Sequence, residues 1–422
     1  MKYLFLIIVI TIALTSYEEA DELDFPHYNI NLSIDPTEQY IEVDCYWDIP
    51  CDIRGNTILF YLHNQLQIEE LTINRNESFT ITEDSSDINY MPYATRYYLN
   101  TQGLKNKKAT LHLKYSGRIT EWEDLSSSVI GENWTEMGCY LPWYPYCPDY
   151  KPFTYKVEIL TSGEYRPFLM GSETLDDNWA IYETVTPTND IVLCASKSVK
   201  TEKKEIFQYK ISFAYSTLSD ILIDTITSDI REILALYNRW FPPGGERLCI
   251  VESMRDKGGG YARLGGIYLP GLTCSEYYES RKEYTRYLAH ELSHLWWYRA
   301  NPNTWEDWLN EGLAEYSALM VLREIYGQED FEYWIHKKQN HSDDIQPVYM
   351  HNRNSQQAFS ILHDKMPILL HELERKIGTD SFEQLLWNLI TSRASNTYDF
   401  MDVLENLEGK EITEWFMAKL KS

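Results

Sequence analysis

The sequence predicts an α+β chain of more than one domain. A strand-rich N-terminal half, built as a β-sandwich or saddle-shaped sheet, precedes a mainly helical half. Three observations carry this. Residues 25–200 alternate apolar and polar side chains in short runs broken by Asn, Asp, Gly and Pro, the period-2 pattern of half-buried strands. From Leu218 the apolar spacing becomes helical, with one buried face per segment. A length of 422 residues suits about two or three domains.

Taken in order, the chain opens with Lys2 and an apolar run, Leu4–Leu14. That run is shorter than the roughly twenty residues a membrane span needs. Residues 1–20 therefore read as a secretory signal peptide cleaved near Ser16 to Ala20; with no A-x-A site, an uncleaved N-terminal anchor is the other assignment. Either places the chain in a secreted, periplasmic or cell-envelope setting. Residues 21–205 form the β-rich domain, with strands expected at Tyr28–Ile34, Ile41–Trp47, Thr57–Tyr61, Leu66–Ile73, Ala109–Tyr115, Lys156–Leu160, Trp179–Val185 and Ile191–Ser196. The loop Trp143–Pro148 is aromatic and proline-rich and reads as a rigid turn. Residues 206–422 form the second domain: a helix over Ser216–Trp240 stopped at Pro242-Pro243-Gly244, a strand at Leu248–Glu252, then helices to the end. No internal repeat or low-complexity segment interrupts this plan.

A net charge of −26 without a basic run excludes nucleic acid and strong binding to an anionic membrane surface. Seven cysteines in an exported chain make disulfides available. Cys45 with Cys51 and Cys139 with Cys147 are spaced to close small loops, against the alternative that all seven are buried thiols. None is spaced like a zinc ribbon. The oligomeric state is left open.

The chemistry sits in His290-Glu291-Leu292-Ser293-His294. On a helix, residues i and i+4 leave the same face about one turn apart, a separation that suits two imidazole ligands on one Zn²⁺. Glu291 stands beside the first ligand, placed to take a proton from a metal-bound water. Glu311 supplies a third ligand and leaves a fourth position for water, the arrangement of a catalytic and not a structural zinc. The first helix, Tyr284 to Tyr298, carries the apolar stripe Leu288, Leu292, Leu295 and Trp296, and the second, Leu309 to Tyr326, carries Leu313, Leu319, Leu322 and Ile325. Glu315, four residues after Glu311, is the carboxylate expected to fix the tautomer of a metal-bound His. One Zn²⁺ per chain is expected.

His290–His294 with Trp308-Leu309-Asn310-Glu311-Gly312-Leu313-Ala314-Glu315-Tyr316 resembles the gluzincin metallopeptidases, and among them the aminopeptidase N-like family, which reads H-E-L-x-H-x-W and then W-L-N-E-G-F-A. The resemblance spans roughly 215–422 and, more thinly, 25–200. It implies a thermolysin-like catalytic domain, Zn²⁺ and hydrolysis of a peptide or protein substrate. Three departures from the family pattern matter. Sixteen residues, Leu295 to Asn310, separate the second His from the ligand Glu where the family has eighteen, with a turn at Asn301-Pro302-Asn303. The family's G-x-M-E-N segment, whose Glu holds the substrate amine, is replaced around Gly260, Tyr261 and Ala262. Ala262 falls where the Glu belongs, and Arg263, next along, is expected to repel an ammonium. The neighbouring Gly266–Leu269 reads as a strand open to an extended peptide. Finally, His363 stands where the family has an oxyanion-stabilising Tyr; a histidine is able to donate there, with Tyr349 and Tyr261 as other donors.

The expectation is a zinc metallopeptidase with Glu291 as general base, aminopeptidase or endopeptidase. Its rivals are a secreted scaffold that keeps the metal but has lost turnover, favoured by the changes at Ala262 and His363 and opposed by the intact Glu291, and a zinc hydrolase of epoxides or esters.

Overall fold

The computed structural model describes residues 25–50, 57–74, 81–85, 91–101, 109–122, 128–147, 152–161, 164–176, 179–245, 247–254, 260–263, 265–302, 304–341, 345–353 and 355–422. The leader expected over 1–20, Cys51, Gly258 and Gly259 lie outside them.

Strand alternation begins at His27–Asp35, where Tyr28, Ile30, Leu32 and Ile34 point into the core and the residues between them outward. The next strand, Tyr40–Ile49, pairs antiparallel with it and buries Ile41, Val43, Cys45, Trp47 and Ile49 on the same face. These two lie inside a seven-stranded sheet ordered 172–176, 179–188, 153–161, 27–35, 40–49, 109–118, 67–73. A three-stranded sheet of Thr57–His63, Ala94–Asn100 and Ile81–Asp84 packs against its apolar face: Ile58, Phe60 and Leu62 join that core, and Phe60 meets Trp47 edge to face at 6.3 Å. Two sheets sharing one core make the expected sandwich. A further small sheet, 166–168, 193–196 and 135–137, leads toward the second half.

The second half opens with a five-stranded sheet ordered 200–206, 209–215, 247–253, 266–270, 261–263. Its first strand, Lys200–Ile206, straddles the domain boundary expected at 205/206. The strand was not legible because it is almost wholly charged (KTEKKEI) and buries Ile206 alone. Helix α1, Asp220–Trp240, packs on this sheet; Ser219 caps it by accepting from the Leu222 amide, so it starts later than Ser216. Helices α2, Cys274–Glu279, and α3, Arg281–Ser293, follow, then α4, Trp308–Tyr326, and α5, Gln328–His341. Helix α3 ends at Ser293, five residues before the expected Tyr298. His294 keeps right-handed helical φ and ψ as its C-cap, so the i, i+4 relation survives. Trp296 still reaches the core, through a turn and not a helix. Among the described residues no helix is long and apolar enough to cross a membrane.

Two expectations are corrected. Cys139 and Cys147 share no disulfide; both thiols are buried, Cys139 facing the Arg263 guanidinium and Cys147 facing the sandwich core. The strand Gly266–Pro270 is not open to a peptide along its length, because Tyr261–Arg263 already pairs with Gly266–Tyr268. The sheet edge is therefore 261–263.

Candidate metal centre

Helix α3 presents His290 and His294, and α4 crosses it to present Glu311. Both imidazoles approach one carboxylate oxygen: His290 Nε2 is 3.3 Å and His294 Nε2 3.8 Å from Glu311 Oε2. Ligands at about 2.0–2.1 Å from a tetrahedral zinc stand about 3.3–3.4 Å apart, so these are edges of a slightly open ligand polyhedron. The opposite ring nitrogens are engaged. His290 Nδ1 is 2.9 Å from Glu315 Oε2 and His294 Nδ1 2.8 Å from the Trp297 carbonyl, which places the ring proton on Nδ1 and leaves Nε2 as ligand. Burial lowers the His290 pKa, yet hydrogen bonds to Glu311 and Glu315 overcome it and raise the group to about 10. A site that favours positive charge so strongly fits a divalent cation.

Glu291 offers a carboxylate oxygen within 4.8 Å of a ring nitrogen of His290 and of His294. Burial raises its pKa; the two histidines oppose that, and Glu311 and Glu315 add to it. A carboxyl displaced in this direction is a stronger base toward a neighbouring water.

Glu315 is fully buried on α4 and receives Arg286 Nη1 at 2.7 Å on each oxygen and Lys338 Nζ at 2.5 Å. Burial alone would raise its pKa, but Lys338 and Arg286 hold it well below the usual carboxylate range. Arg286 was readable as the residue four before His290 on the same helix face. Lys338 comes from α5 and carries no motif.

The short connection between the ligand helices is clamped by Asn310, whose side chain accepts from the Ala300 amide at 3.1 Å and donates to the Ala300 carbonyl at 3.0 Å. It also donates to Asp307 at 2.9 Å, which in turn takes Arg353 at 2.8 Å. Burial first, then the charge of Glu311, raises Asp307 to about 6.

His363 lies on a single π-helical turn, Ile361–Lys365, between Ala358–Ser360 and the helix Met366–Ile377. Its Nε2 is 3.7 Å from Glu311 Oε2, and its ring stacks on Phe359 at 4.3 Å. Burial pushes its pKa down to about 4, so the ring is neutral. The other two suggested donors are engaged elsewhere: Tyr349 packs on Trp305 and hydrogen-bonds Tyr398, and the Tyr261 hydroxyl donates to Glu136 at 2.6 Å.

Tyr261 and Ala262 begin the edge strand, and Gly260 immediately precedes it. A methyl group at Gly260 would strike the Tyr287 hydroxyl and the Tyr268 carbonyl, so this glycine packs the strand onto α3. Arg263 is no free cation: Nε donates to Asp190 at 2.7 Å, and Tyr144 holds the other Asp190 oxygen at 2.8 Å. The aromatic loop is thus a buried turn that reaches the edge strand through Asp190. Sequence reading missed Glu136, a fully buried carboxylate that accepts from Tyr261, from Ser253 at 3.0 Å and from Trp134 at 3.1 Å. Its local sequence carries no signal.

Residues 272–419 match the peptidase family M1 domain. The M1 zinc metallopeptidase of Deinococcus radiodurans superposes with a TM-score of 0.70 at 14% identity over 94% of each chain. A variant of that structure bound to a Tyr-Ser-Ala substrate gives 0.70 at 15%, again over 94% of each chain. Native leukotriene A4 hydrolase from Saccharomyces cerevisiae gives 0.69 at 16%, over 93% of this chain and 66% of that one. No curated protein sequence matches. At such identities the superpositions establish the shared two-domain fold, and the family match adds the chemistry: residues 272–419 are a peptidase family M1 domain of the aminopeptidase N-like gluzincins, a zinc metallopeptidase domain.

Proposed function

We propose that this chain hydrolyses peptide bonds with Glu291 as general base and His290, His294 and Glu311 as the zinc ligands. The observation that carries this is the meeting of both Nε2 atoms on Glu311, with each Nδ1 committed elsewhere and Glu291 alongside. Zn²⁺ held there lowers the pKa of its water to about 7 and polarises the scissile carbonyl. Glu291 takes the water's proton and passes it to the leaving amine. His363, with a proton on Nε2, donates to the carbonyl oxygen as it becomes negative; one such donor is worth about 10²–10³-fold in rate. The extended peptide pairs along the edge strand Tyr261–Arg263. Glu291→Gln tests the assignment: the protein should keep its metal and lose cleavage. Wild-type hydrolysis by that variant would refute it.

Ala262 brings no carboxylate to a substrate amine, and Arg263 is neutralised by Asp190. We therefore expect peptides with acetylated N-termini to be cleaved within about tenfold of free ones, a difference of about 1.4 kcal/mol or less. Strict dependence on a free amine would exclude endopeptidase action and move the anchor to Glu136, which Glu136→Gln would then expose. The apolar leader supports export as the setting of this activity.

A further inference from the structure

We infer that His363 is a fourth protein ligand of the metal in the resting site, displaced when a substrate carbonyl arrives. The inference rests on the zinc site proposed above and adds a closed state to it. Three observations support it. The ligand atoms of His290, Glu311 and His363 lie within 4.8 Å of one another. His363 Nε2 stands 3.7 Å from Glu311 Oε2, as near that shared oxygen as His294 Nε2 at 3.8 Å. The distance is long for a hydrogen bond and right for two ligands of one ion. The rings are placed alike too: the centroid of His290 is 5.1 Å from that of His294 and 5.4 Å from that of His363.

The surrounding chain is built to put His363 there. A π-helical turn inserts one residue into a helix and re-aims its side chains, a device often found at functional sites. Lys338 Nζ donates to the His363 carbonyl at 2.7 Å and pairs with Glu315, so one buried cation anchors both the π turn and the carboxylate behind His290. Gly312, next to Glu311, lets the turn close on α4: a Cβ at this position would lie 2.8 Å from Met366 Cβ. Phe359 backs the ring from outside.

Ligation and donation use the same nitrogen and exclude each other. Bound to metal, Nε2 presents its lone pair. Released, the neutral ring would gain a proton on Nε2 and return the one on Nδ1 to solvent, a tautomer exchange that leaves its charge unchanged and makes Nε2 the oxyanion donor. The position it vacates would then be open to the water that Glu291 deprotonates, beside the substrate carbonyl.

The test uses full-length protein loaded with Zn²⁺ or Co²⁺. X-ray absorption on the zinc form should count three imidazoles in wild type and two in His363→Ala. The Co²⁺ spectrum of wild type should stay constant between pH 6 and 9, and that of His363→Ala should titrate near about 7 as a coordinated water ionises. Zinc affinity in His363→Ala should fall by at least about 100-fold, beyond the usual effect of an outer contact. His363→Gln, which keeps the bulk of the ring, should lose an imidazole in the same way and guards against a packing artefact. Two imidazoles in wild type, or zinc affinity in His363→Ala and His363→Gln equal to that of wild type, overturns the closed state and leaves the zinc peptidase standing. Failure of wild type to bind metal at all, with His290→Ala indistinguishable from it, overturns both.

Discussion

Replacing Glu315 by Gln keeps the shape of the side chain and removes its charge. The carboxylate is fully buried and takes Arg286 at 2.7 Å on both oxygens, Lys338 at 2.5 Å and His290 Nδ1 at 2.9 Å. In the variant two cations face a neutral amide. Breaking a buried ion pair from one side costs about 3–5 kcal/mol. The Arg286 side chain retains 26% exposure, and water shares its charge, so the lower end, about 3 kcal/mol, applies. Metal affinity falls separately, because the carboxylate behind a ligating His is worth about 10–100-fold. An amide oxygen still accepts from Nδ1, which favours about tenfold, or about 1.4 kcal/mol. Urea unfolding of the metal-free protein reads the first quantity and chelator competition reads the second. Adding Lys338→Met should recover part of the stability, since no cation is then stranded, and should leave metal affinity low. Unchanged stability and unchanged zinc affinity in Glu315→Gln would refute the reasoning.

Three further outcomes follow from other sites. His63 is buried, with Nε2 2.8 Å from the Glu121 carbonyl and Nδ1 accepting from the Gln65 amide; burial pushes its pKa from 6.5 to about 4 against that backbone bond. The unfolded chain binds this proton first as pH falls, so about 3 kcal/mol of stability present above pH 6.5 is lost toward pH 4; His63→Gln should flatten that part of the stability–pH curve. Gly312→Ala should cost about 1–3 kcal/mol by overpacking against Met366, and it should lower kcat/KM further than the melting shift accounts for, because the π turn is pushed off α4. Saturating zinc at about a thousand times its Kd should raise the unfolding free energy by about 4 kcal/mol; equal melting of chelated and loaded protein would contradict binding to the folded state.

The metal helices were legible because their chemistry is local: His290, Glu291, His294, Glu311 and Glu315 occupy two neighbouring helices, and helical spacing alone sorts their faces. The sandwich was legible where strands bury one face, as at His27–Asp35, and failed where they do not, as at Lys200–Ile206. Lys338 and Glu136 escaped because each acts across a distance no spacing encodes. The expected pairing of Cys139 with Cys147 failed for the converse reason: closeness along the chain says nothing of direction, and Cys139 turns to Arg263. The expected repulsion by Arg263 failed because Asp190, whose side chain is fully buried, absorbs it.

The Arg263–Asp190 contact ties the two halves of the molecule in a way that bears on how a peptide is measured. Asp190 belongs to the strand-rich half and is itself gripped by Tyr144 and the Cys139 amide. Arg263 belongs to the rim along which a substrate backbone would lie. The rim is thus referenced to two bodies, to the metal's own sheet and α3 through Gly260 and Tyr287 and to the strand-rich half through the Arg263–Asp190 clasp. The register of a substrate against the metal is then a property of the joint between the halves. A zinc domain separated from its partner would keep every ligand and the strand, yet lose the outer anchor that steadies which bond lies over the ion.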